Sequence, residues 1–253
     1  MIGCIIQARM GSTRLPGKVM MRADKSDPII FSVIKQIEKS KFLKKIIVAT
    51  TDLEEDNVIE NFVKKMNISC FRGSSDDVLD RYYNCAKKFS FSSIVRITGD
   101  CPLNDYQVID EVIERFLSGE YDYVTNSRPP TFPYGISVEI FSFNVLKYVW
   151  ENAKKPSERE HVTPYIYNHP EKFNICNVKC DQDLSKISVM VDRKNDFELV
   201  KKVFSKIKKR PILLNDIKEL FSQEPELLNM NKNNLPNEGY LKSLKNDKDI
   251  EKS

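Results

Sequence analysis

Short apolar runs alternate with longer amphipathic ones through the first half of this chain. Gly3 to Ala8 has the length and character of a buried strand and is closed by a glycine-containing turn. Ile29, Ile30, Val33, Ile34 and Ile37 then fall at helical spacing, ending near Ser40. Asp27-Pro28 ahead of them offers an N-cap followed by proline at the first helical position. Ile46 to Thr50 predicts a second buried strand. Asp52 with Glu55 forms a capping-box pattern before the stripe Val58, Ile59, Phe62 and Val63. A short strand at Ile68 to Phe71 precedes a helix over Asp76 to Phe89, with Val78, Leu79, Tyr82 and Ala86 on one face. Ser93 to Thr98 is the fourth strand. Regular β-then-α alternation predicts an α/β fold, a mostly parallel sheet with helices on both faces and ligands at the strand C-terminal ends.

The second half is less regular. A helix from about Asp105 to Leu117 leads to a strand at Tyr121 to Thr125, a proline-rich loop from Arg128 to Gly135, and a strand at Ile136 to Phe141. Ser142 to Glu151 and Ser157 to Asn168 read as helices, the latter interrupted by Pro164. Phe173 to Val178 and Ile187 to Val191 are further strands, Phe197 to Ile207 is an amphipathic helix, and Ile217 to Phe221 begins another. Beyond Asn231 the chain is rich in Asn, Lys and Asp. The pattern therefore predicts a main domain over 1–230 and a polar, peripheral tail at 231–253.

Composition narrows the function. The net charge of +4 comes from 40 basic and 36 acidic residues, and Lys208-Lys209-Arg210 is the one short basic cluster. That argues against a nucleic-acid partner, which needs concentrated charge. The six cysteines show no CxxC spacing and read as reduced core residues; with just two histidines, a zinc site lacks ligands. No apolar run reaches 18 residues, so the expectation is a soluble, cytoplasmic protein without a membrane span.

The chemistry concentrates after the first strand. Arg9, Arg14 and Lys18 are presented together with the small residues Ala8, Gly11 and Ser12, which let backbone N–H groups approach a ligand. Three cations and an open backbone at a strand's C-terminal end suit a polyphosphate. The loop is not a P-loop: five residues separate Gly11 from Gly17, Pro16 stiffens the turn, and Val19 follows Lys18 where Ser or Thr is needed. Asp100, in Thr98-Gly99-Asp100-Cys101-Pro102, stands where a carboxylate would hold Mg²⁺ against phosphates, or would cap the following turn. Ser157 with Glu160 forms a capping box, whereas Arg159 and His161 have no such role, and a histidine can bind an anion or move a proton near neutral pH. Glu139, on an otherwise apolar strand, either points at the site or faces solvent. Asp181-Gln182-Asp183 matches the short Asp-x-Asp pattern of metal-dependent glycosyltransferases but reads as a turn.

The run Ala8-Arg9-Met10-Gly11-Ser12-Thr13-Arg14-Leu15-Pro16-Gly17-Lys18 resembles the signature loop of the CMP-sugar-acid synthetases, CMP-KDO synthetase especially. It is closest to the spore-coat-polysaccharide cytidylyltransferase-like branch. The resemblance runs from Ile5 to about Asp196, and Leu220, Pro225-Glu226-Leu227-Leu228 and Asn237-Glu238-Gly239-Tyr240 also look like this branch's C-terminal region; it implies a Rossmann-like nucleotidyltransferase fold with a small β-containing insertion at about 121–186 covering the acceptor. It implies that Arg9, Arg14 and Lys18 hold the triphosphate of CTP and that Asp100 binds metal from an Asp-x-Pro element. Asp192, in Val191-Asp192-Arg193-Lys194-Asn195-Asp196-Phe197, matches the second metal ligand, although relatives carry Thr-Pro-Glu where this chain has Arg193-Lys194-Asn195. The run Arg72 to Tyr82 is similar to a family segment near the base, which nominates Arg72 and Ser74, with Arg81 a further candidate. The segments around Glu139 and around Arg159 and His161 match acceptor-side motifs.

The implied activity is Mg²⁺-dependent transfer of CMP from CTP to an acidic or phosphorylated precursor of a surface polysaccharide, with release of pyrophosphate. The resemblance is also compatible with a homodimer. Two other readings stay open: a nucleotide-sugar-dependent glycosyltransferase on a similar fold, and a non-catalytic nucleotide-binding protein, supported by the departure at Arg193-Lys194-Asn195.

Overall fold

Alternation of side chains on three neighbouring strands divides the interior into two layers. On β1 (Ile2–Gln7), Cys4 and Ile6 face one core while Ile5 faces the other; on β4 (Lys45–Thr51), Val48 opposes Ile47 and Ala49; on β6 (Ser93–Thr98), Val95 and Ile97 oppose Ile94. This period-two split is what a sheet covered on both faces requires. The computed structural model of the chain describes residues 1–25, 27–235 and 237–250.

A seven-stranded sheet runs in the order β5-β4-β1-β6-β8-β7-β9, with β5 at Ser69–Gly73, β7 at Tyr123–Thr125, β8 at Glu139–Ser142 and β9 at Ile175–Asn177. Strands β5, β4, β1 and β6 are mutually parallel, β8 alone runs against its neighbours, and β7 and β9 return to the common direction. A short ribbon of β2 (Arg22–Asp24) and β3 (Asp27–Pro28) stands apart. One face carries α1 (Ile29–Ile37), α2 (Asn57–Lys65), α4 (Tyr106–Leu117), α8 (Lys194–Lys206) and α9 (Leu214–Gln223). The other carries α3 (Val78–Lys88), α5 (Phe143–Asn152) and the short helices α6 (Pro156–His161) and α7 (Pro164–Asn168). Fully buried aliphatic side chains such as Ile5, Ile6, Ile34 and Ile47 each contribute about 1.5–3 kcal/mol by leaving water.

The segment at 121–186 supplies three strands to this sheet and so is continuous with it. Several local expectations change. Pro28 ends β3, and α1 begins at Ile29 without a side-chain cap. The Asp52–Glu55 box does not form; Asp56, fully buried, instead accepts hydrogen bonds from the backbone N–H groups of Met10 (2.6 Å) and Thr51 (3.1 Å) and from the Thr51 hydroxyl. Ser157 and Glu160 do not cap α6, because Pro156 opens it and Glu158 accepts from the N–H groups of Lys154 and Lys155 (3.1 and 3.2 Å). Ile187 to Val191 is not a ladder strand, but an extended segment bridged at Ser188 to Tyr134.

The tail differs most. Asn231 is buried and donates to Asp196 (2.8 Å), and α10 (Glu238–Ile250) packs along α6. The Asp247 carboxylate accepts from the N–H and hydroxyl of Ser157 at 2.9 and 2.5 Å. Described residues beyond Asn231 therefore belong to the folded body; residues 251–253 lie outside those described.

Across β6 and β8, Arg96 pairs with Glu139, whose carboxylate also accepts from the hydroxyls of Tyr123 and Thr163 (2.7 Å to Thr163). Burial pushes the Glu139 carboxyl up, but Arg96 and the two hydroxyls outweigh it and hold the group below its ordinary value. Its folded pKa is thus below its unfolded one, so its stabilisation is complete above about pH 4.5 and is lost as pH falls through the folded value. Glu139→Gln should strand the Arg96 guanidinium and lower unfolding free energy by about 3 kcal/mol in urea titrations at pH 7. The variant should also show a shallower loss of stability below pH 4.5; an unchanged urea midpoint would show that the pair is dispensable.

Candidate active site

Three pieces of chain far apart in sequence meet at the C-terminal edge of β1 and β6. The first is the loop from Ala8 to Lys18. Its bend is closed by N–H groups of Ser12 and Gly17 donating to the Met10 carbonyl (2.8 and 2.9 Å), and Asp56 anchors the Met10 N–H. The second is Asp100. The Gly99 N–H donates to the Gln7 carbonyl at 2.8 Å, and a Cβ at Gly99 would lie 2.9 Å from that oxygen. Only glycine lets the two strand ends close so tightly, which sets Asp100 beside the loop. The third is Asp192, placed by the N–H of Val191 donating to the Asp100 carbonyl (2.9 Å).

Lys18 joins all three. Its ammonium donates to Asp100 Oδ2 at 2.5 Å, Asp192 Oδ1 at 2.8 Å and the Val191 carbonyl at 2.9 Å. Arg14 reaches the same Asp192 oxygen at 3.0 Å. Lys18 is 8% exposed. Burial opposes its charge, but the two carboxylates override this and raise its pKa. For Asp100, burial likewise opposes ionisation, and Lys18 followed by nearby hydrogen bonds lowers the carboxyl below its ordinary value. Lys18 and Asp100 are therefore both charged at neutral pH in this arrangement.

Around this cluster lies a cleft of about 300 Å³. Among the described residues its walls carry five cations, Arg9, Arg14, Lys18, Arg81 and Lys242, against three carboxylates, Asp100, Glu160 and Asp192. Ala8 and Ser12 line it as well, whereas Gly11 lies on the exposed side of the loop near Glu55. Arg81 is 2% exposed, donates to the Ser74 carbonyl at 2.8 Å, and leaves its Nε without a partner; burial depresses its pKa. His161 also faces the cleft, with Nε2 3.0 Å from the Ser243 hydroxyl. Burial pulls its pKa down to about 4, with Glu160 opposing and Arg96 and Arg9 assisting, so the imidazole is neutral at pH 7.

Besides Gly11, four nominated residues stand outside the cleft lining. Arg72 donates to Asn57 (2.6 Å), Glu60 (2.7 Å) and the Leu53 carbonyl (2.7 Å), tying β5 to α2. The Ser74 hydroxyl accepts from the Asp77 N–H at 3.0 Å, shaping the turn into α3. Glu139 is consumed by Arg96, Tyr123 and Thr163, and Arg159 by Asp77 and the Trp150 carbonyl. Asp181-Gln182-Asp183 lies on an exposed turn outside the cleft lining. Asp196 restores the turn at Arg193-Lys194-Asn195: one carboxylate oxygen accepts from the N–H groups of Asp192 (3.1 Å) and Arg193 (2.8 Å).

Sequence reasoning missed Asp56, Glu160 as a cleft residue, and the face of α10 carrying Gly239, Lys242, Ser243 and Asn246. Arg81 did carry a signal. It occupies the helical position between Val78 and Cys85 on the inward face of α3, where a solvated arginine would not stand.

For metal, the donor set is Asp100 and Asp192, hard oxygen ligands that already converge on one cation. Two carboxylates suit Mg²⁺, a hard cation that takes few protein ligands and shares its shell with substrate phosphates and water.

Comparison with known proteins extends the local resemblance to the whole fold. A cytidylyltransferase family model matches residues 3–243. An uncharacterised protein of Methanocaldococcus jannaschii is 39% identical over 236 residues, covering 90% of this chain and 93% of its own. The spore coat polysaccharide biosynthesis protein SpsF of Bacillus subtilis is 32% identical over 232 residues, covering 88% and 94%. A solved cytidylyltransferase structure from Leptospira borgpetersenii superposes with a TM-score of 0.86 at 34% identity, covering 90% of this chain and 96% of that one. A match that takes in the loop, both aspartates and the sheet that holds them places this chain in the cytidylyltransferase family, as a nucleotidyltransferase.

Proposed function

We propose that the enzyme transfers CMP from CTP to an acidic or phosphorylated precursor of a surface polysaccharide, releasing pyrophosphate. The observation that carries this reading is Lys18 held between Asp100 and Asp192 in the lining of a cleft with excess positive charge. An oxygen of the acceptor attacks the α-phosphorus; the new P–O bond forms as the bond from that phosphorus to the bridging oxygen breaks, and pyrophosphate leaves with the electron pair. Arg9, Arg14 and Lys18 neutralise the charge that grows on the leaving group. Backbone groups at Ala8 and Ser12 and the buried Arg81 orient the nucleotide, so positioning and electrostatics do most of the work. Asp100 and Asp192 would hold Mg²⁺, which when bound supplies charge stabilisation at the transferred phosphoryl group.

With Glu139 and Arg159 engaged in the scaffold, His161 and Glu160 of α6 are the acceptor-side groups that remain in the cleft. His161, neutral near pH 7, serves as a hydrogen-bonding group there instead of a cation. An acceptor bearing a phosphate or carboxylate nucleophile needs no general base, since its attacking oxygen is already anionic. The protein is read as acting in the cytoplasm; no helix among the described residues is long and apolar enough to cross a membrane.

Pyrophosphate release with Mg²⁺ should occur with CTP and one class of acceptor among KDO-like acids, sugar phosphates, phosphorylated polyols and phosphonates. Asp100→Asn should reduce turnover by about 10²–10³-fold. Release driven by UTP, GTP or ATP instead would overturn the cytidylyl assignment, and transfer from a sugar nucleotide without pyrophosphate would favour a glycosyltransferase.

A second expectation concerns pH. The folded pKa of His161 lies below the unfolded one, so protons favour the unfolded chain as pH falls from about 6.5 toward 4. Thermal midpoints of the wild type should therefore drop over that window, and His161→Gln should flatten the drop. Identical pH profiles for the two proteins would contradict the buried, neutral assignment.

A further inference from the structure

One wall of the cleft comes from the C-terminal helix. Gly239, Lys242, Ser243 and Asn246 recur at spacings of three and four, so α10 turns a single face toward the loop and α6. That orientation is fixed by polar contacts. The Ser243 hydroxyl donates to Glu160 at 2.5 Å and lies 3.0 Å from His161 Nε2, Tyr240 meets the His161 ring edge-on, and Asp247 is held by Ser157.

Two features of this face have no use in the protein's own packing. A Cβ on Gly239 would meet its nearest atoms, the Arg14 terminal nitrogens, at 3.6 Å and His161 Cε1 at 3.9 Å, which is ordinary contact. The fold does not require glycine there; its absence of a side chain keeps that corner of the cleft open. Lys242 is exposed, and among the described residues no carboxylate pairs with it. The nearby acids are committed elsewhere, Glu238 to Arg193 (2.7 Å), Glu160 to Ser243 and Asp247 to Ser157.

A further cation brought into a cleft already rich in them is electrostatically unfavourable unless an anion shares the space. The cleft shows the same demand elsewhere: buried Nε atoms of Arg14 and Arg81 lack partners, and Arg81 is almost wholly enclosed. Lys242 also has a side. It lines both the cleft and the cavity adjoining it, and so do Thr13 and Arg14 of the loop.

We propose that Lys242, carried in by the C-terminal helix past Gly239, is a binding residue for the terminal phosphates of the nucleotide and for the departing pyrophosphate. This rests on reading the cleft as a triphosphate site. It makes the last helix a working wall of the active site, with Lys242 completing the cation set of the loop.

The test is calorimetric binding of CTP, CMP and inorganic tripolyphosphate, in Mg²⁺, to wild type, Lys242→Ala and Gly239→Ala. Lys245→Ala serves as control, because Lys245 lines just the adjoining cavity. Lys242→Ala should weaken CTP and tripolyphosphate about tenfold while leaving CMP affinity and the thermal midpoint unchanged. Gly239→Ala should weaken the same two ligands without loss of stability, and Lys245→Ala should match wild type. Undiminished affinity of Lys242→Ala for CTP and tripolyphosphate would overturn the assignment, as would an equal loss for CMP. Wild-type protein that binds CTP no more tightly than CMP would instead sink the triphosphate reading on which the assignment stands.

Discussion

A single buried ammonium holds the working end of this molecule together. Lys18 ends a loop with no regular structure of its own, and its three acceptors lie 82 to 174 residues away in sequence. Taking that charge out of water is costly and is tolerated because two carboxylates and a carbonyl surround it. The link works in both directions. Without Lys18, Asp100 and Asp192 would face each other across a few ångströms with Arg14 as the remaining counter-charge. The loop is pinned at its other end by Asp56, so its conformation is set from both sides before any ligand arrives. Such preorganisation is what a reaction governed by phosphate positioning needs.

The same cluster leaves the cleft with the charge balance a polyanion would need. Lys18 and Arg14 balance Asp100 and Asp192, so the net positive charge of the cleft equals that of Arg9, Arg81 and Lys242 set against Glu160. Arg81 is the sharpest indicator. A guanidinium that is 2% exposed and bonded to a single carbonyl has given up hydration without a protein carboxylate in return. That arrangement is stable in a cleft where an anionic or strongly polar ligand supplies the missing contact.

Much of this was legible in the sequence, for identifiable reasons. The strands β1, β4 and β6 are buried on both faces, so their apolar runs are nearly continuous and their neighbours keep a helical period. The loop at 8–18 concentrates cations and small residues in a way no core segment does. Charged residues with two equally good partners were not legible. Arg72, Glu139 and Arg159 have the composition of ligand contacts, yet each is satisfied by the scaffold, and nothing local distinguishes an arginine that meets a phosphate from one that meets Asp77. Asp56 was hidden for the same reason, since a carboxylate near a helix start reads as a cap until the distant Met10 N–H is seen to use it. At Arg193-Lys194-Asn195 the unfamiliar residues are exposed or half-buried, and Asp196 alone sets the turn.

The C-terminal helix was missed because it docks by polar contacts. Its buried side chains include Ser243 and Asp247, and its lines of attachment run to Ser157, Glu160, His161 and, through Glu238, Arg193. A hydrophobic stripe would have been visible in the sequence and would have tolerated some sliding along its partner. Hydrogen bonds to defined atoms do not, because their energy falls steeply with angle and distance. A segment that looks like a solvated tail is thereby fixed in register against α6, and with it the positions of Gly239 and Lys242 relative to Arg14. Polar docking costs the helix its sequence signature and gives the cleft a wall of defined geometry.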